Sequence, residues 1–421
     1  MKNVGSAIRA AELLVGHAPP TCGALQARLH RIADSYPELC QITQVGRSRS
    51  GAVMEMLCVK GGDHDVLIVG GPQPNEPIGF ASILALAQYV TTNAEMQAEH
   101  SWHFFACSDP DGARLNEPWT TSWPPTMESY HRYFYRPARW HQPEWTFPAS
   151  SFTGQLPETK ALMAVIDEVR PELYVSLHNS DSGGAFLMSS HAETYLPNIL
   201  QSAASSHRLP VEEAPLDCAG WASPGTGAFV LPAVAKETLE SSASGPVCGS
   251  SSAHYAGQYG LALFLEVPMW HTRGITLPAG VGAEVLESAA TTLDDVLQRS
   301  GPYAQDSVFL PAALDILTVL RLNADVLRQN AGAGTNQDRA LLAPLRAAGM
   351  MLRHLESQPD HAPDLTAELT RTEKEFRAWC SRAEDTLHPV PIPLHDSAGF
   401  QIEVILRAAA ALTGSPFLAS R

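Results

Sequence analysis

Short runs of apolar residues alternate with amphipathic stretches over the first 300 positions of the chain. Each run ends in a polar loop and has the length of a strand, which is typical of strands buried on both faces of a sheet. Helical periodicity separates them, and 40–60 alternates like a β-hairpin. The apolar runs are 66–69, 102–107, 173–177, 185–188 and 261–267, and the helical stretches are 22–35, 78–92, 158–169 and 192–207. This order predicts an α/β sheet covered by helices on both faces.

The pattern changes after about residue 300, where only helical periodicity remains. The stretches 308–330, 337–357, 364–387 and 398–413 are rich in Ala, Leu and Arg. We therefore divide the chain into an α/β domain over 1–300 and a helical C-terminal region over 301–421. The helical region is either a second domain or a cap on the first.

Composition narrows the class of protein. The 421 residues include 44 acidic and 28 basic side chains, giving a net charge of −16, which repels nucleic acid and anionic membranes. The seven cysteines are scattered without a CxxC pair, and neither a signal peptide nor an apolar run of roughly eighteen residues is apparent. These features predict a cytoplasmic protein without nucleic-acid or membrane partners.

Four polar residues stand where apolar runs end. Gln73 and Glu76 follow 66–69, His178 follows 173–177, and Glu266 closes an apolar strand. A carboxylate in an apolar run is unusual and requires an explanation, because burying it without a partner is costly in free energy. Ligands bind at the carboxyl ends of strands in open α/β sheets, so we expect Glu76, His178 and Glu266 to face one cleft.

Five short motifs occur in an order that resembles the zinc carboxypeptidases of peptidase family M14. The segment QPNEPIG at 73–79 stands where that family has an HxxE-P-x-G loop, SLHN at 176–179 is similar to its third-ligand strand, and LFLEVP at 263–268 to its catalytic strand. YPELCQITQVGRSRSG and DPDG are similar to two further family segments. The resemblance covers roughly residues 20 to 275 and implies a three-layer α/β/α fold with a mixed, mostly parallel central sheet.

The resemblance also implies a chemistry. In the family, His, Glu and His hold zinc, which activates a water molecule, and a glutamate on the last strand acts as general base. By position, Gln73, Glu76 and His178 would be the metal ligands and Glu266 the base. The implied reaction is hydrolysis of an amide next to a free carboxylate in a peptide or an amino-acid conjugate.

Gln73 departs from the family pattern. An amide oxygen is neutral and a poor zinc donor compared with imidazole. Three explanations stay open: weakened or altered zinc binding, loss of the metal with retention of a binding pocket, or a substitution introduced in the laboratory to inactivate the enzyme. The alternatives to a working enzyme are therefore a catalytically impaired binding protein and an inactivated variant.

Arginines are expected to bind the substrate carboxylate, because a guanidinium can bond both of its oxygens. Arg136 is the first candidate for this role and for the catalytic arginine of the family, and Arg114 with neighbouring Asn116 is the second. Arg132 and Arg139 are rival candidates. Asp181 would either bind a basic group of a substrate or form a turn. An assembly protein that forms a homo-oligomer through its helical tail is a third functional alternative.

Overall fold

The computed structural model describes residues 9, 13, 15–149, 152–233, 249–273, 277–278, 280–300, 307–329, 339–358 and 363–414. Within them lies a sheet of eight strands in the spatial order β1-β2-β4-β3-β5-β8-β6-β7. Its strands are β1 (Cys40–Arg47), β2 (Val53–Val59), β3 (His64–Val69), β4 (His100–Phe105), β5 (Leu173–Ser180), β6 (Phe186–Ser189), β7 (Ala228–Val230) and β8 (Leu261–Pro268). The neighbouring strands β4, β3, β5 and β8 run parallel, whereas β1, β2 and β6 add antiparallel pairs.

Helices cover both faces of this sheet. They are α1 (Cys22–Ser35), α2 (Ile78–Thr91), α3 (Ala94–Glu99), α4 (Pro110–Thr120), α5 (Met127–Arg132), α6 (Pro157–Val169), α7 (Leu196–Ser206) and α8 (Ser252–Ala256). The helical region adds α9 (Val281–Arg299), α10 (Phe309–Gln329), α11 (Arg339–Glu356), α12 (Pro363–Leu387) and α13 (Leu394–Leu412). Among the described residues, no helix is both long and apolar enough to cross a membrane.

Alternation along the central strands separates two hydrophobic cores. Leu173, Val175 and Leu177 of β5 pack into the core that contains α1 and α2, whereas Tyr174 packs into the core that contains α6. Successive side chains of a strand point to opposite faces, so a strand that is apolar throughout needs cover on both sides. The predicted three-layer α/β/α class with a mixed, mostly parallel sheet and a helical C-terminal region is confirmed.

The last helix belongs to the same core as the sheet. Almost every residue from the start of α13 to Ala410 is buried, and the helix contacts α2, α7 and β8. Gln401 donates from Nε2 to the carbonyl oxygen of His178 at 2.9 Å and accepts from the Ser82 hydroxyl at 2.7 Å. The end of the helical region therefore holds the strand that carries His178, while the division of the chain at residue 300 stays a prediction.

Replacing Ile405 by alanine tests whether α13 is part of the core. Ile405 is 0% exposed, and removing such a side chain from a packed core typically costs about 2–5 kcal/mol. We expect one cooperative denaturant transition that shifts by this amount. Leu412→Ala, at the 36% exposed end of the same helix, should shift it by less than about 0.5 kcal/mol. A separate, unshifted transition for the α/β part would show that α13 is an independent unit.

Candidate active site

Two neighbouring parallel strands place His178 beside Glu266. The register of β5 and β8 pairs these two residues directly, and adjacent strands lie roughly 4.8 Å apart. His178 Nδ1 is 4.0 Å from Glu266 Oε1. Both side chains therefore lie at the carboxyl edge of the sheet, on the face that also carries Phe264.

Glu76 lies on the loop between β3 and α2 and is 2% exposed. Its Oε2 lies 2.8 Å from His178 Nδ1 and accepts from the Asn179 backbone N–H at 3.3 Å. Its Oε1 accepts from the guanidinium of Arg136, whose Nε donates to Asn75 Oδ1 at 3.2 Å. Both oxygens of this buried carboxylate are thus engaged by cationic or N–H donors, as an ionised buried group requires.

Gln73 is also buried, and a chain of amide contacts fixes its orientation. Gln142 donates from Nε2 to the Pro137 carbonyl at 2.7 Å, so its Oε1 is the atom that accepts from Gln73 Nε2 at 3.1 Å. The remaining atom, Gln73 Oε1, has no hydrogen-bond partner among the described residues. An unpaired acceptor in a buried site is costly, which makes this oxygen a candidate ligand contact.

The buried charges shift one another's pKa values. Burial alone would lower the pKa of His178, but the nearby carboxylates of Glu76, Glu266 and Glu144 raise it to about 9. Burial, and then the charge of Glu76, raise the pKa of Glu266 to about 7, against the opposing effect of His178. Divergent pKa values in one cleft are typical of acid–base sites.

A buried network behind His178 was not predicted from the sequence. His178 Nε2 lies 3.2 Å from Ser176 Oγ, and the Ser176 hydroxyl donates to Glu144 Oε2 at 3.3 Å. Ser252 donates to the other oxygen of Glu144. Both ring nitrogens of His178 therefore face oxygen atoms, which fits a protonated ring held in one orientation. Glu144 follows no apolar run, so no pattern in the sequence marked it.

Asp181 follows β5 and lines the same cleft. Arg346 of α11 donates to its two oxygens at 2.9 and 2.6 Å, and Tyr130 donates its hydroxyl at 2.6 Å. Although burial favours the neutral acid, Arg346 and His131 hold the pKa of Asp181 well below its usual range. These contacts occupy the carboxylate and do not support the predicted binding of a basic substrate group. Arg346 was not predicted as a site residue, because helical periodicity does not distinguish it from the other arginines of the helical region.

The predicted arginine candidates lie in different places. Arg136 lines the cleft with its side chain 29% exposed. Arg114 is 58% exposed on α4 and lies 3.7 Å from Asp111. Asn116 is fully buried, and its amide bonds both the N–H and the carbonyl of Tyr135, at 3.0 and 2.9 Å. The structure therefore brings Arg136 to the site, whereas Arg114 and Asn116 do not line it.

The cleft is a cavity of about 470 Å³, within the usual range of small-molecule sites. Residues Gln73, Glu76, Arg136, His178 and Glu266 line it. Side chains of α10 and α11 also contribute to the lining. The predicted site residues that converge here come from the loop after β3, from β5 and β8, and from the segment after α5, which are distant in sequence and adjacent in the fold.

Comparisons with known proteins agree with the motifs. The family described as zinc carboxypeptidase, Peptidase_M14, matches residues 25–208. No curated protein matches the chain by sequence. Fold and family match together define a zinc-carboxypeptidase-like α/β protein. The predicted resemblance to peptidase family M14 is confirmed over the matched segment, and it supports a metallocarboxypeptidase-like hydrolase function.

Solved structures give a more distant likeness. Bovine thrombin-activatable fibrinolysis inhibitor, solved with a tick carboxypeptidase inhibitor, is 13% identical, with a TM-score of 0.38 over 61% of this chain and 87% of that one. Carboxypeptidase A from Helicoverpa armigera is 13% identical, with a TM-score of 0.38 over 79% and 81%. These scores are too low to carry an argument, so the fold class rests on the sheet described above.

The family implies zinc, but the donor set here does not fit the family's site. One imidazole, one carboxylate and one amide replace two imidazoles and a carboxylate, and an amide oxygen is a poor zinc donor. Within the described ranges, no group of three His, Cys, Asp or Glu side chains could hold a metal ion. Glu76 is already bound by Arg136 and His178. We therefore assign no chemical step to a metal.

Replacing Gln73 by histidine tests this conclusion. The substitution restores the family's ligand types, so the affinity for Zn²⁺, measured by competition with a chromophoric chelator, should rise by more than the roughly 10- to 100-fold changes typical of outer-shell contacts. Gln73→Leu, which removes the amide without adding a ligand, should not raise the affinity. Equal zinc affinities of the native and Gln73→His proteins would mean that position 73 does not limit metal binding.

Proposed function

We propose that this chain hydrolyses an amide bond next to a free carboxylate in a peptide or amino-acid conjugate, with Glu266 as the general base. One observation carries the proposal: Glu266 lines the cavity, and its Oε2 has no hydrogen-bond partner in the described part of the chain. Buried polar atoms are usually hydrogen-bonded, so an unpaired carboxylate oxygen at a cavity is available to a bound molecule. Its raised pKa, near neutrality, suits a group that both accepts and returns a proton.

The proposed reaction follows from the positions of Glu266 and Arg136. Glu266 takes a proton from a water molecule as the water oxygen bonds to the carbonyl carbon. It then passes that proton to the nitrogen as the C–N bond breaks, leaving a carboxylic acid and an amine. Arg136 is the cation that would face the developing negative charge or the substrate carboxylate. A guanidinium has five N–H donors, and the contacts with Asn75 and Glu76 use only Nε and Nη2.

A binding protein without catalysis is the second candidate. The amide at position 73 and the engagement of Glu76 by Arg136 both favour it, because they remove two of the features on which the family's zinc chemistry depends. The cleft, with its charged and unpaired groups, would still bind the same conjugates. Predicted roles for the helical region in a homo-oligomer, and a cytoplasmic location, stay predictions.

Glu266→Gln separates the two candidates. The change keeps the shape of the side chain and removes its basicity, so hydrolysis of N-acyl amino acids and dipeptides should slow by roughly 10²- to 10⁴-fold in kcat. Substrate binding should change little. Released amine is measured by mass spectrometry, and binding by calorimetry. Equal hydrolysis by both proteins would exclude Glu266 as the base, and binding by the native protein without any hydrolysis would favour the binding protein.

Arg136→Gln tests recognition of the carboxylate. A charge-assisted hydrogen bond is worth roughly 1.5–3 kcal/mol, and about 1.4 kcal/mol corresponds to a factor of ten in affinity. Affinity for an N-acyl amino acid should therefore fall about 10- to 100-fold, while that for its amidated analogue should fall much less. The acid-to-amide ratio cancels any general damage from leaving Glu76 without its partner. Arg114→Gln is the matched control and should leave the ratio unchanged. An unchanged ratio in Arg136→Gln would remove this arginine from carboxylate binding.

A further inference from the structure

The part of the cavity lining that comes from the helical region, called the wall below, is mostly apolar. Ile316, Val319 and Leu320 of α10 line it, together with Leu342 and Met350 of α11. All of these residues lie outside the segment that the zinc carboxypeptidase family matches, 25–208. This part of the cavity is therefore a property of this chain and is not implied by the matched family segment.

The spacing along each helix shows that one face of each is turned to the cavity. On α10 the cavity-lining positions 312, 315, 316, 319, 320 and 323 follow helical periodicity. On α11 they are 342, 343, 346 and 350, again on one side of the helix. Asn323, Asp315 and Arg346 are the polar positions among them. Elsewhere on α10, Leu314 and Leu322 are 46% and 44% exposed.

Two ion pairs fix this wall to the α/β part of the molecule. Asp315 of α10 accepts from the Arg139 backbone N–H at 2.9 Å and from its Nε at 2.8 Å. Arg346 of α11 bonds both oxygens of Asp181, three residues beyond His178. Two N–H donors from one arginine fix both the distance and the orientation of the guanidinium relative to the group that accepts from it. Each helix is thus joined to the α/β part by an ion pair between cavity-lining residues.

The remaining lining contains both apolar and polar groups. Trp145, Trp221 and Phe264 add aromatic surface, and the Phe264 ring packs against His178 with 5.1 Å between the ring centroids. Arg136, Glu266 and the unpaired oxygen of Gln73 provide polar groups. A ligand that uses the whole cavity must have a charged or amide-containing end and a bulky apolar group.

We infer that α10 and α11 select small amino-acid conjugates that carry a bulky apolar acyl group, and that this group lies against their aliphatic wall. The inference rests on the proposed function, which supplies the amide and the carboxylate. An N-acyl amino acid joins the three required features in one molecule: a carboxylate for Arg136, an amide for Glu266 and an apolar group for the wall. Burial of an aromatic acyl group should strengthen binding at least about tenfold.

The experiment compares two probes, N-phenylacetylglycine and N-acetylglycine, which share the amide and the carboxylate and differ in the apolar group. Their dissociation constants are measured by calorimetry on the full chain in a Glu266→Gln background, which prevents turnover during the titration. We expect the phenylacetyl compound to bind at least about tenfold tighter. Equal affinities, or no binding of either probe, would overturn the inference.

Val319→Trp places a large side chain in the cavity at the helical wall. Leu322→Trp is the matched control, because it introduces tryptophan at a 44% exposed position of the same helix. Val319→Trp should reduce the preference for the phenylacetyl probe to about twofold or less, with N-acetylglycine binding retained. Leu322→Trp should leave the preference unchanged. If Val319→Trp fails to fold, Ala343→Phe on α11 replaces it as the variant that fills the cavity. Equal effects of Val319→Trp and Leu322→Trp would overturn the inference.

The outcome separates the inference from the proposed function. Hydrolysis of both probes by native Glu266 protein, without any preference for the apolar group, would refute the role of the helices and leave the hydrolase intact. A clear preference in binding, with no hydrolysis of either probe, would support the helical wall and refute the hydrolase in favour of the binding protein.

Discussion

The site is organised around Glu76, a carboxylate buried at the end of a loop between a strand and a helix. A buried carboxylate stays ionised only if cations and N–H groups replace the water it has lost. Here Arg136 contacts one carboxylate oxygen of Glu76 and His178 contacts the other. That requirement links three distant segments of the chain, and it determines where the guanidinium and the imidazole lie. The same arrangement raises the pKa of His178, and the charge of Glu76 adds to the effect of burial on Glu266.

The amide at position 73 changes what this cluster does. In a site with two imidazoles and a carboxylate, the negative charge serves a metal. In this chain an arginine engages the carboxylate, and Gln73 is turned by Gln142 so that its oxygen has no partner among the described residues. The loop and strands that resemble the family are therefore retained, but Arg136 and His178 contact the carboxylate of Glu76. Glu266, with its unpaired oxygen and raised pKa, is the feature that still favours hydrolysis over simple binding.

Most strands of the sheet could be predicted because buried strands leave continuous apolar runs that end in polar loops, whereas β7 and the spatial order of the strands could not. The same signal pointed to Glu76, His178 and Glu266, which lie at strand ends or after them. Glu144 and Arg346 could not be found in this way. Glu144 lies in a segment with no periodicity. Arg346 lies on α11, and its contact with Asp181 joins residues that are far apart in the sequence. Tertiary packing, which leaves no local sequence pattern, also brings Asp181 into an ion pair with Arg346 of that helix.

Zinc-edge anomalous diffraction from crystals equilibrated with equimolar Zn²⁺ tests the central claim most directly, with Gln73→His crystals as the positive control. The account predicts that Arg136 stays on Glu76 in the native protein and that no zinc peak appears between Gln73, Glu76 and His178. A fully occupied zinc ion at that position, with Arg136 displaced from Glu76, would contradict it.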